Sequence, residues 1–159
     1  MNIYLIRHGD AEKASTSKKD SERKLTPEGE NKIKVSAEGW KLLIPQFSHI
    51  VTSPLIRALQ TAEIIAGVFK LPGNIIVDKR ITAGSKTEEL IDIANEILGP
   101  EMAFVGHEPD FSEHVSHLIS NSGAQVEFKK GMIAKISFNG RVKISRGVLE
   151  FLIPGKAYK

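Results

Sequence analysis

No cysteine occurs among the 159 residues. Its absence excludes a disulfide scaffold, a thiol nucleophile and any Cys-based zinc or iron–sulfur site, and it makes the reducing cytosol the expected compartment. Long hydrophobic runs are missing as well. No stretch approaches the roughly 20 apolar residues that cross a bilayer, and Met1 leads into Ile3-Tyr4-Leu5-Ile6 without a basic region or cleavage site. Neither membrane insertion nor secretion is expected. Excess charge of one sign is also lacking, because 22 Lys and Arg stand against 19 Asp and Glu, and only 6% of residues are aromatic. Interspersed charges and few stacking rings argue against a nucleic-acid partner, whereas a net charge of +3 suits an anionic substrate. With 41% hydrophobic residues and no linker, repeat or low-complexity tract, the chain reads as a single domain over residues 1–159.

Ile3 to Ile6 forms a continuous apolar run, the signature of a strand buried on both faces of a parallel sheet. Asp10 to Leu25 is polar and of mixed charge, and reads as a long loop. Thr26-Pro27-Glu28 carries three helix-start signals, a hydroxyl cap, a proline in the first turn and an acid at the positive end of the dipole. Behind it Ile33, Ala37, Trp40 and Ile44 share a face despite Gly39. His49–Thr52 is a second strand, and Ser53-Pro54 is expected to cap a helix burying Leu55, Leu59, Ala62, Ala66 and Phe69. Ile75–Val77, a helix from Lys86 to Leu98 ended by Gly99-Pro100, Ala103–Val105 and a helix burying Phe111, Val115, Leu118 and Ile119 continue the alternation. Ile133–Phe138 and Val148–Ile153 then read as paired strands with a turn near Asn139-Gly140. The pattern predicts a three-layer α/β domain, a mostly parallel sheet flanked by helices with hairpin-like strands at the C-terminus.

Open α/β sheets bind ligands at the carboxyl ends of their strands. Arg7 and His8 follow the first strand, Arg57 stands in the first turn after the second, and His107 follows the fourth. A cation in a first helical turn opposes the helix dipole, so Arg57 implies an anion nearby, either a surface carboxylate or a ligand. Its placement in line with His8 and His107 favours the ligand. Gly9 lets the backbone turn sharply beside His8, Arg7 offers a planar fork suited to phosphate, and Gly106-His107-Glu108-Pro109 makes a tight strand-to-helix corner.

Arg7-His8-Gly9-Asp10-Ala11, Leu25-Thr26-Pro27-Glu28-Gly29, the Ser53–Ala62 stretch with Arg57, and Gly106-His107 occur in an order that resembles the histidine phosphatase superfamily, and within it the small SixA-type phosphohistidine phosphatases. The resemblance spans most of the chain. It implies a phosphoglycerate-mutase-like fold, phosphoryl transfer to His8, a phosphate surrounded by Arg7, Arg57 and His107, and no metal or cofactor. The residue types fit that chemistry, because a phosphoryl group in flight carries charge on three oxygens that two guanidiniums and an imidazole can neutralise.

Larger relatives take a general acid from the segment after the third strand, where this chain reads Arg80-Ile81-Thr82-Ala83-Gly84. Phosphorylated imidazole needs no strong acid once its ring is protonated, whereas an alkoxide does. The expected substrate is therefore phosphohistidine in a partner protein. The alternatives are a small phosphate monoester, with Glu88 or Glu89 as acid, or a phosphate-binding module with little chemistry. A monomer is the default. His114 and His117, three apart, are expected on a solvated helix face rather than at a metal. Gly84-Ser85-Lys86-Thr87 matches only the tail of a P-loop. The run Lys18 to Lys24 reads as a solvated loop, with a lesser alternative in which it borders the pocket and meets an acidic partner.

Overall fold

In the computed structural model, which describes residues 1–71, 73 and 75–158, the elements alternate as the apolar patterning predicts. In chain order they are β1 (Asn2–Arg7), α1 (Pro27–Trp40), β2 (His49–Thr52), α2 (Ile56–Val68), β3 (Ile75–Val77), α3 (Thr87–Ile97), β4 (Glu101–Gly106), α4 (Asp110–Ile119), β5 (Ile133–Ser137) and β6 (Val148–Ile153). One six-stranded sheet has the order β3-β2-β4-β1-β5-β6. Strands β3, β2, β4 and β1 are mutually parallel, β5 runs antiparallel to β1, and β6 antiparallel to β5.

The apolar run of β1 is explained by its two faces. Ile3 and Leu5 join one core with Leu90 and Ile93 of α3 and Phe111, Val115 and Leu118 of α4. Tyr4 and Ile6 join the other with Ile33 and Trp40 of α1 and Ala62 and Ile65 of α2. Alternate side chains of a strand point to opposite faces, so a strand between two helical layers must be apolar throughout. The fold is thus the expected three-layer α/β sandwich.

Local signals hold at α1, where the Thr26 hydroxyl accepts from Gly29 N–H at 3.0 Å. Gly39 is tolerated because a Cβ there would run into the Tyr158 ring, which packs on the helix at that point. Elsewhere the details differ. Helix α2 begins only at Ile56, with no side-chain cap, and buries Ala58, Thr61, Ala62, Ile65 and Ala66, while Leu59 is half-buried. Ser53 is diverted from capping because its hydroxyl is engaged by a histidine. Helix α3 closes on Leu98 with φ of 57°, so the left-handed residue is a leucine and not the glycine that follows. Strands β5 and β6 are joined by residues 138–147 and not by a tight turn at Asn139-Gly140, although Gly140 does have φ of 86°. Among the described residues no helix is long and apolar enough to cross a membrane.

Candidate active site

Because β2, β4 and β1 are adjacent and parallel, with Thr52 opposite Val105 and Arg7 opposite Gly106, the residues that follow these strands emerge side by side. Main-chain bonds carry the pairing one residue further: His8 N–H donates to Gly106 O at 3.1 Å and Ser53 N–H to Val105 O at 3.0 Å. His8, Arg57 and His107 are therefore gathered into one buried polar cluster, at 5%, 6% and 3% exposure. The two imidazole centroids are 5.3 Å apart.

The hydrogen bonds assign the state of His8. Gly9 O can only accept, so at 2.8 Å it takes the proton of His8 Nδ1. Arg57 Nε–H can only donate, and at 3.3 Å it faces His8 Nε2, which is therefore the unprotonated nitrogen. Burial is the main reason that His8 is driven down to a pKa of about 3. The Gly9 bond opposes this, and the nearby His107, Arg57 and Arg7 add to it. His107 is lowered to about 4, again chiefly by burial and next by Arg57. Its Nε2 lies 2.7 Å from the Ser53 hydroxyl, which also accepts from Leu55 N–H at 3.3 Å. His107 Nδ1 is buried without a partner. Arg7 Nη1 donates to Phe128 O at 2.9 Å, and its Nε is a buried donor without a partner. Such orphan groups are costly unless something polar reaches them. An open recess of about 610 Å³ lies beside Arg7, between Glu108 and the extended segment Gln125–Lys129. A smaller cavity of about 420 Å³, between α1 and the C-terminal residues, shares none of the four site residues.

Gly9 has a different use from the one expected. A Cβ there would come within 2.7 Å of Ile33 Cγ1, and one at Gly29 would strike the Asp10 carbonyl, so both glycines serve the crossing of the His8 turn over α1. Thr61 ties that turn to α2, accepting from Gly9 N–H at 3.2 Å and donating to Arg57 O at 2.8 Å.

The run Lys18 to Lys24 is mostly exposed, as a solvated loop is, and it also borders the cluster, as the lesser alternative has it. Its loop is closed at the base by Glu12 N–H to Lys24 O at 2.8 Å and Thr26 N–H to Asp10 O at 3.0 Å, and a single helical turn, Asp20–Glu22, leans over the cluster. Arg57 Nη1 donates to Asp20 O at 2.8 Å and Nη2 to Asp20 Oδ2 at 3.0 Å. Arg23 Nη1 lies 3.2 Å from the other carboxylate oxygen. The anion that Arg57 demands is thus, in this structure, a carboxylate of the chain itself. An acid twelve positions after His8 in a charged run gives no local signal of that role, and Ser53 and Thr61 read as a cap and a helix residue.

His114 is not on a solvated face. It is 1% exposed, with Nε2 at 2.9 Å from Ser85 Oγ and Nδ1 at 2.8 Å from Thr87 Oγ1. Asp110 accepts from Gly84 and Ser85 N–H at 2.8 and 3.2 Å, so this network fastens the segment before α3 onto α4. His117 is exposed as expected. Arg80 is held between Asp78 and Glu96, Glu89 accepts from Lys86 N–H at the start of α3, and Glu88 is exposed.

Residues 3–82 match the model of the histidine phosphatase superfamily, branch 1. This stretch holds Arg7, His8 and Arg57, and His107 joins them through the pairing of β1 with β4. The phosphohistidine phosphatase SixA of Escherichia coli is 32% identical over 82 residues, 52% of this chain and 50% of that protein. The SixA homologue of Haemophilus influenzae is 28% identical over 151 residues, 88% and 90% of the two chains. Among solved structures, that of the protein histidine phosphatase SixA with tungstate superposes with a TM-score of 0.85 at 22% identity, covering 99% of both chains. With 80 of its 159 residues matched by the family model, the chain belongs to the histidine phosphatase superfamily.

Proposed function

We propose that this chain is a cytosolic phosphatase that works through a phospho-His8 intermediate without a metal ion, and that its substrate is phosphohistidine in a partner protein. The observation that carries the reading is the pair of bonds on His8, Nδ1–H to Gly9 O and Nε2 facing the Arg57 guanidinium. A nucleophilic imidazole must present an unprotonated nitrogen, and here the tautomer and the direction of its lone pair are both set. Arg57 and Arg7 supply positive charge where the phosphoryl oxygens would gather. The unpartnered Arg7 Nε, which can only donate, is a polar group that an oxyanion would satisfy.

The lone pair of Nε2 attacks phosphorus, the pair of the breaking bond leaves with the substrate, and water then releases phosphate from His8. A protonated phosphoimidazole departs as neutral imidazole and asks little of a general acid. This suits a site in which Glu89 is spent on a helix start and Glu88 is exposed. The open recess beside Arg7 leaves room for a side chain carried on another protein.

The test mixes the protein with a phosphorylated histidine phosphotransfer domain and a chelator, quenches in alkali and locates phosphate by mass spectrometry. Phosphate release by the wild type, none by His8→Ala, and label on His8 are expected. Equal release by His8→Ala, or label elsewhere, would overturn the reading.

A further inference from the structure

Asp20 is the only acidic residue whose carboxylate touches the guanidinium facing the nucleophile among the described residues. Arg57 is shared three ways: Nε points to His8 Nε2, while Nη1 and Nη2 hold the Asp20 carbonyl and carboxylate. The nucleophile and the acid thus sit at opposite ends of one planar fork. Oxygens of a phosphoryl group at Nε2 would compete with the carboxylate for Nη2, and 60% of the Asp20 side chain is exposed to solvent. His8 itself is only 5% exposed. Partial burial resists ionisation of Asp20, but the hydrogen bond and charge of Arg57 and the charge of Arg23 outweigh it, and its pKa lies below the ordinary carboxylate value.

Resting on the phosphohistidine reading, we infer that Asp20 is a specificity-determining residue that receives the distal ring N–H of the substrate's phosphorylated imidazole and so selects cationic, nitrogen-linked leaving groups. The electron balance is complete. His8 Nε2 donates its lone pair to phosphorus, and the pair of the substrate P–N bond returns to the ring nitrogen. The substrate ring goes from cation to neutral imidazole, keeping its distal proton against Asp20, while His8 becomes the cation with its Nδ1–H on Gly9 O. A carboxylate facing that distal proton raises the fraction of substrate in the labile protonated form. The same negative charge works against leaving groups that depart as anions, such as a sugar alkoxide or a phenolate.

The experiment uses the whole chain, with phosphoimidazole as substrate and vanadate as inhibitor, and compares wild type, Asp20→Asn and Asp20→Glu. Asp20→Asn should lower kcat/KM for phosphoimidazole about tenfold and move its pH optimum toward acid, while vanadate inhibits at least as strongly, since a competing carboxylate has gone. Asp20→Glu should recover part of the rate. If Asp20→Asn weakens turnover and vanadate inhibition together, Asp20 only holds Arg57 in place and the inference is overturned. Unchanged turnover overturns it too. If the wild type fails to cleave phosphoimidazole while phospho-His8 still forms from another donor, it is the phosphohistidine reading that has failed, and the inference falls with it.

Discussion

Acid separates a buried, cation-flanked His8 from an ordinary histidine. An imidazole with its usual pKa near 6.5 keeps roughly 3% of its nucleophilic form at pH 5. His8 is lowered to about 3, first by burial, then by the charges of His107, Arg57 and Arg7, against the opposing bond to Gly9. Lowering a histidine's pKa favours its neutral form, so at pH 5 about 99% of His8 remains unprotonated at Nε2, a difference of roughly thirtyfold. Because kcat/KM reports ionisations of the free enzyme, the profile between pH 7.5 and 5 should show no acid limb from His8, after correction for titration of the substrate. Nitrogen-15 chemical shifts of the His8 ring, followed over the same range, give the direct check and should stay at the neutral Nδ1–H tautomer. A limb centred near pH 6.5 that tracks the His8 ring shifts would refute the assigned state, and with it the role of burial. The same burial has a stability consequence of fixed sign. His8, His107 and His114 all lie below their unfolded value, at about 3, 4 and 4. The unfolded chain therefore takes up protons first, so the stability is complete above pH 6.5 and is lost as the pH falls toward 4, by about 2 kcal/mol per histidine at pH 5. A melting temperature that stays level from pH 7.5 to 5 would contradict it.

Ser53→Ala removes the hydroxyl that holds His107 Nε2 at 2.7 Å and accepts from Leu55 N–H. Two buried polar groups are left without partners, so a loss of about 1–3 kcal/mol in stability and roughly 10- to 100-fold in kcat are expected from denaturant melts and steady-state kinetics, and an unchanged kcat would show that Ser53 does not position His107. Gly29→Ala drives a Cβ into the Asp10 carbonyl just beyond the His8 turn. A stability loss of about 2–3 kcal/mol, read as a fall of roughly 5–10 °C in Tm, is expected, and a fall under about 2 °C would mean that the crossing is slack.

The sheet and its helices were legible because β1 and β4 are buried on both sides and their apolar runs are unambiguous. Arg7, His8 and His107 were pointed to by strand ends and Arg57 by the first helical turn after β2, because parallel strands place their carboxyl ends together. Hidden from the sequence were the contacts made across long separations by short polar residues. Asp20 reaches Arg57 across 37 positions, Ser53 reaches His107 across 54, and Ser85 reaches His114 across 29. Charge or hydroxyl content carries no periodicity by which such partners are recognised. His114 was misplaced for the same reason: two hydroxyls from another segment, not its own helix pattern, make an interior imidazole tolerable.

His8 and His107 stand on the two central strands of the sheet, whereas Asp20 and Arg23 hang from a strap fastened at its base. In hydrogen exchange, the amides beneath the histidines should be among the last to open, and those around residues 18–24 among the first. On the proposed reading, reaction chemistry and substrate choice lie in parts of the chain with very different tolerance to change. On that reading the central strands can scarcely vary without loss of the whole domain, whereas the largely exposed strap could be lengthened, recharged or trimmed while the sheet beneath the histidines stays intact.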